Sequence, residues 1–92
     1  MQTVYGEFRA EGSSRWVSAQ VGKYHISGFD SAPSDLTAVA LESMDVFGNW
    51  VQFAEHSEDV VKAFDFKVPG FVRFRCIEFT QGNPVVYSLT GE

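Results

Sequence analysis

Hydrophobic and polar positions in this chain alternate, rather than recurring every third or fourth residue. In Gly70-Phe71-Val72-Arg73-Phe74-Arg75-Cys76-Ile77-Glu78-Phe79, Val72, Phe74 and Cys76 fall on one side and Arg73 and Arg75 on the other. A pleated strand sends successive side chains to opposite faces, so this period of two predicts a strand with one face on an apolar core. The rhythm recurs along the chain. Residues 4–9, 15–21 and 23–27 read as strands, with Glu11-Gly12-Ser13-Ser14 closing the first, and Tyr24 and Ile26 opposite Lys23 and His25 in the third. A polar, Pro-containing loop over residues 28–35 follows.

Residues 36–44 alternate Thr37, Val39 and Leu41 with Ala38, Ala40 and Glu42. Residues 34–41 could instead begin a helix capped by Ser34 or Asp35. Thr37 and Val39 favour the strand, as does its place in an evenly spaced series. Residues 45–49 form a turn, in which Gly48 and Asn49 tolerate positive φ. Residues 50–54 are a fifth strand and 55–59 a charged connection. Residues 60–68 alternate again and Pro69-Gly70 breaks them. The strand at 71–79, a turn at Gln81-Gly82-Asn83-Pro84 and a last strand at 85–89 complete the series. Seven to eight short strands with no strand-helix-strand unit predict one all-β domain over residues 1–92, a small antiparallel β-sandwich of Ig-like or jelly-roll-like kind. Val39, Leu41, Phe64, Phe66, Val72, Phe74, Cys76, Val85 and Tyr87 are its expected core.

Composition sharpens the picture in two ways. Aromatic residues make up 15% of the chain, with nine Phe, which suits half-buried pleated surfaces. The formal net charge of −5 argues against phosphate-driven nucleic-acid binding and against docking on an anionic membrane. The start, Met1-Gln2-Thr3-Val4-Tyr5, lacks the basic and apolar regions of a signal peptide. One cysteine allows no intrachain disulfide.

Candidate chemistry is sparse. Cys76 can be paired on paper with His25 or His56, but no spacing supports a catalytic pair and Cys76 faces the core, so no catalytic residue is assigned. One Cys and two distant His do not make a zinc site. Glu55, Glu58 and Asp59 around His56 could ligate a hard cation, but a solvated loop explains them better. No phosphate-cradling glycine pattern occurs, and no cofactor is expected. Arg73 and Arg75 beside Phe71 and Phe79 could stack bases, yet the acidic balance favours an outward face paired with neighbouring carboxylates. Phe29 in a polar loop and Phe47 in a turn are either core plugs or contacts for another chain. Trp16 or Trp50 could serve as a platform for a sugar.

The ordered set of segments resembles small β-sandwich accessory proteins of tailed-bacteriophage virions. Those proteins often show a Tyr-x-Ile-Ser-Gly-like strand, matched by Tyr24-His25-Ile26-Ser27-Gly28. A Leu-x-x-Ser-x-Asp-x-x-Gly-x-Trp segment is approximated by Leu41, Ser43, Asp45, Gly48 and Trp50. A Pro-Gly-x-x-(Tyr/Phe)-Arg hairpin is approximated by Pro69-Gly70-Phe71-Val72-Arg73-Phe74-Arg75, and Val85-Val86-Tyr87-Ser88-Leu89 closes the set. The likeness spans roughly residues 15–90. It departs at the turn before the Trp, where relatives often carry Asp-Gly-Gly and this chain has Asp45-Val46-Phe47-Gly48. The resemblance implies a non-enzymatic virion protein made in the host cytoplasm. It would be a capsid decoration or cement protein, or alternatively a sugar- or receptor-binding module of a tail or fibre. Implied partners are the major capsid or tail protein and further copies of itself, with Phe29, Phe47, Arg73 and Arg75 as the candidate contacts.

Overall fold

The alternation at residues 72–76 becomes burial in the computed structural model, which describes residues 1–30, 32 and 34–92. Val72, Phe74 and Cys76 are buried, and Arg73 and Arg75 lie on the opposite face. The chain forms six strands: β1 (Gln2–Phe8), β2 (Gly12–Ser27), β3 (Ala38–Met44), β4 (Trp50–His56), β5 (Val60–Glu78) and β6 (Val85–Gly91). They make one sheet in the order β1-β6-β2-β5-β3-β4, with every neighbouring pair antiparallel. The domain is all-β, and among the described residues there is no helix. The helical alternative for residues 34–41 is thereby excluded where the chain is described. Ser31 and Pro33, within the expected loop, lie outside the described residues.

Six strands replace the expected seven to eight because two apparent breaks are bends within continuous strands. Residues 15–21 and 23–27 both belong to β2, and residues 60–68 and 71–79 merge into β5. Both bends occur at one place. Between the pairs Ala19–Gly70 and Val21–Asp65, β2 supplies only Gln20 while β5 supplies residues 66–69. Pro69 falls in that extra stretch, where its missing N–H interrupts no ladder bond between the two strands. Gln20 Nε2 donates to the Lys67 carbonyl at 3.2 Å and fastens the excursion. The bulge also re-phases β2. Val17 and Ala19 point inward before it, and Gly22, Tyr24 and Ile26 after it. Gln20 and Val21 lie between inward Ala19 and Gly22, and an unbroken period of two would turn one of these sets to solvent. Gly12, Ser13 and Ser14, expected to close the first strand, already belong to β2.

The bend folds the sheet over its inner face. Tyr24 pairs with Lys62, and Phe74 lies twelve residues farther along β5, from 62 to 74. In a straight strand that distance is ~40 Å. The Tyr24 and Phe74 rings instead meet edge-on with centroids 6.1 Å apart. On β4, which pairs only with β3, Phe53 likewise packs edge-on against Phe66 at 5.2 Å, and His56 meets Tyr24. The enclosed core joins Val4, Ile26, Leu41, Phe74, Val85, Leu89 and their neighbours in one cluster. Of the expected core, Phe66 and Tyr87 are half-buried against that cluster and the other seven are buried.

Candidate functional site

Residues with chemical potential sort onto the inner face, one outer face and the two ends of the β3–β4 hairpin. On the inner face, Cys76 is buried and its Sγ contacts the Glu78 carbonyl oxygen at 3.5 Å. Burial pushes its thiol up, away from the reactive thiolate. Val39 pairs with Cys76 on one side and His56 on the other, so the thiol and the imidazole stand two strand spacings apart, about 10 Å. His56 Nε2 is instead 2.8 Å from the Tyr24 hydroxyl, a bond tying β4 to β2. Burial and the neighbouring Lys62 charge hold His56 below its ordinary range, and burial raises Tyr24. His25 is exposed on the other face.

The outer face carries Arg73 and Arg75, and the fold supplies their partner from β3. Glu42 pairs across the ladder with Arg73, and Ala40 with Arg75. Arg73 Nε donates to Glu42 Oε1 at 2.9 Å, and Arg75 Nη1 lies 3.7 Å from Oε2. Arg73 also stacks its guanidinium 4.1 Å from the centre of the Trp50 ring. The carboxylate is therefore buried on an outer face beside two guanidinium groups, one of which stacks on an indole. Trp50 thus packs against the cation of this ion pair. Trp16 keeps 53% exposure and leans on Phe71, with ring centroids 4.7 Å apart.

At one end of the hairpin is an apolar tip. Asp45 Oδ1 accepts from the amides of Phe47 and Asn49, both at 2.9 Å, and the Gly48 amide donates to the Asp45 carbonyl at 3.1 Å. Gly48 takes φ +83°, which a side chain would resist, whereas Asn49 does not use the left-handed region. This closed turn thrusts Val46 and Phe47 outward at 93% and 84% exposure. Val51, Phe53, Val68 and Phe71 are exposed hydrophobics near the same end, where β2 and β5 bend.

At the opposite end is a groove of about 670 Å³. Phe29, Leu36, Thr37 and Ala38 contribute its less polar lining, and Asp30, Asp35, Glu55, Glu58, Asp59 and Glu78 its carboxylates. Its edges are fastened from several directions. Asp59 Oδ1 accepts from the Gly28 and Phe29 amides at 3.1 and 3.2 Å. Buried Gln81 accepts from the Asp30 amide at 2.9 Å and donates to the Gly28 and Asn83 carbonyls. Thr80 Oγ1 accepts from the Leu36 amide at 2.6 Å. Asp35 is raised above the usual carboxylate range by desolvation, then by hydrogen bonding and charge from Asp30. Among the described residues, no group of three or more His, Cys, Asp or Glu side chains is placed to hold a metal ion.

The four candidate contacts therefore do not form one site. Arg73 and Arg75 share the outer face, Phe47 is the hairpin tip, and Phe29 packs partly against the core as a wall of the groove. Leu36, 63% exposed beside that groove, escaped the sequence reading because it was counted as the first residue of a strand that begins only at Ala38. Comparison of the chain with family models, curated proteins and solved structures finds no match.

Proposed function

We propose that this chain is a non-catalytic docking module of a tailed-phage particle, in the first instance a capsid decoration protein that binds the assembled shell in many copies. Its bent sheet is read as a small β-sandwich whose two layers share the long strands β2 and β5. The observation that carries the docking role is the apolar end: Val46 and Phe47 project from a turn that Asp45 holds rigid. Exposed aromatic and aliphatic side chains on a pre-formed turn bury area on binding with little ordering cost. The virion as partner rests on the sequence resemblance. Many weakly held copies on a repeating lattice would stabilise it by mass action, since each bound copy favours the assembled form.

The experiment is co-sedimentation of the full chain with purified heads and tails, with Phe47→Ser alongside. Saturable binding to heads that Phe47→Ser weakens supports the decoration reading. Binding to tails alone moves the module to the tail. A second reading, a carbohydrate-binding module, draws on the half-exposed Trp16 with Phe71 behind it. Failure to bind either particle, together with glycan binding lost in Trp16→Ala, would replace the first reading with the second.

A further inference from the structure

On the outer face of the sheet, one aromatic pair and one guanidinium are left over from the fold's own contacts. Trp16 on β2 pairs across the ladder with Arg73 on β5, and Ser18 pairs with Phe71. The Trp16 ring leans on Phe71, yet both rings stay open to solvent. Two residues beyond Arg73 on the same face, Arg75 is the diagonal neighbour of Trp16. That spacing is about 7–8 Å, within reach of aromatic and long side chains. The two arginines differ in what they have left to offer. The Arg73 side chain is 21% exposed, donates to Glu42 at 2.9 Å and stacks on Trp50. The Arg75 side chain is 54% exposed, and it meets Glu42 only at 3.7 Å, beyond hydrogen-bond length. Its planar fork of N–H donors is therefore open to a second carboxylate. Glu42 offsets one arginine of the two, which leaves one positive charge here in a chain of net charge −5.

Resting on the reading of a carbohydrate-binding module, we propose that this face binds a short acidic oligosaccharide. One sugar ring lies on the Trp16–Phe71 pair, and a carboxylate on that ring or the next meets Arg75. A sugar ring has a C–H face that packs on an aromatic surface and a rim of hydroxyls that needs polar partners. Exposed Ser18 and Ser13, opposite Phe71 and Arg75 in the ladder, flank the platform on both sides of Trp16. Charge and shape select this ligand over two others. One open guanidinium matches one carboxylate, held by two parallel hydrogen bonds. A nucleic acid brings a phosphate with every nucleotide, and the net charge of −5 opposes such a run. A folded partner protein would cover about 800 Å² of a standard interface, whereas two rings bordered by serines and arginines make a narrow strip.

The test is titration calorimetry of the full chain with a panel of uronic- and sialic-acid oligosaccharides. Each is paired with its carboxyl methyl ester, which keeps the ring and removes the charge. The variants are Trp16→Leu, Arg75→Gln, Arg75→Lys and Phe47→Ser. All three substituted side chains are exposed, and circular dichroism with thermal melting checks that each variant folds. Should Trp16→Leu misfold, Phe71→Leu replaces it. At least one acidic glycan should bind, and its ester should bind about tenfold more weakly or worse. Trp16→Leu should abolish binding of both. Arg75→Gln should weaken the acid to the level of the ester, and Arg75→Lys should fall between, since an ammonium lacks the planar fork. Phe47→Ser should bind the glycan as wild type does, because the tip is a separate surface. Equal affinity for acid and ester, lost in Trp16→Leu, overturns the acidic ligand and leaves the carbohydrate-binding reading standing. Acid binding untouched by Arg75→Gln overturns the proposal by placing the charge contact elsewhere. Single-stranded DNA bound more tightly than every glycan through Trp16 overturns it in favour of base stacking. Binding of none of the glycans overturns both the proposal and the carbohydrate-binding reading, while docking on heads is decided by co-sedimentation alone.

Discussion

Glu42 and Arg73 meet at 2.9 Å on the outer face of the sheet, yet the Glu42 side chain is only 6% exposed. Arg73 and Arg75 lie against it, and the Trp50 ring stacks on the Arg73 guanidinium. Truncating Arg73 removes the closer ion pair and leaves a partly buried carboxylate with only the longer Arg75 contact. Arg73→Ala should lower stability by about 2–3 kcal/mol, below the full cost of breaking a buried pair because Arg75 remains. Arg73→Lys should fall between the two, since it keeps the charge but loses the planar stack on Trp50. Urea unfolding measures both, and an unchanged midpoint in Arg73→Ala would show that the pair contributes nothing.

Phe74 is fully buried and packs against Tyr24 and Tyr87 from the part of β5 beyond its bend. Phe74→Ala should cost ~3–5 kcal/mol, enough to unfold much of so small a domain. Phe47→Ser, at the exposed tip, should stay within about 0.5 kcal/mol of wild type. Thermal melts of the two variants separate core from surface aromatic.

Gly22 sits where β2 pairs with β5 on one side and β6 on the other. A Cβ there would collide with the Thr90 carbonyl oxygen and stand 2.6 Å from the Phe64 ring. The backbone oxygen cannot swing aside as a side chain can. Gly22→Ala should therefore destabilise by about 2 kcal/mol or more, despite its lower backbone entropy in the unfolded chain. An alanine variant as stable as wild type would contradict the close packing of β2 against β6.

Cys76 should be inert in the native state, being buried with its thiol held protonated by desolvation. A thiol reagent should label native protein at least ~100-fold more slowly than unfolded protein, because reaction requires opening of the sheet. Fast labelling of the native chain would show that β5 opens locally at that position.

His56 gives stability a pH dependence with a definite sign. Its folded pKa lies below the ordinary imidazole value of 6.5, so in the window between the two the unfolded chain binds more protons than the folded one. Its contribution is complete above pH 6.5 and is lost as pH falls from 6.5 towards the folded pKa. Melting temperature should drop over that interval more in wild type than in His56→Gln. Parallel curves would mean that His56 carries no linkage.

The β character and the division of side chains into two faces were legible in the sequence because both are local. Whether Val72, Phe74 and Cys76 share a face follows from the period of the pleat, whatever the strand pairs with. The same holds for Tyr24 and Ile26. Strand number was not local. Gln20 to Gly22 and Pro69-Gly70 look like breaks, and an isolated chain could end a strand at either. Only the pairing of Ala19 with Gly70 and Val21 with Asp65 turns them into matched bends of two long strands. The candidate contacts divide in the same way. Alternation placed Arg73 and Arg75 outward, but their covering of Glu42 depends on β3 lying beside β5 in one register. Phe29 and Phe47 are both aromatics among turn residues. The hydrogen bonds from Gly28 and Phe29 to Asp59, thirty residues away for Phe29, fold one of them inward. Asp45 caps its own turn and leaves the other in solvent. The sequence by itself determined the period and hence the faces. Tertiary structure decided which residues meet, because hydrogen-bond register and burial depend on segments far apart in the chain.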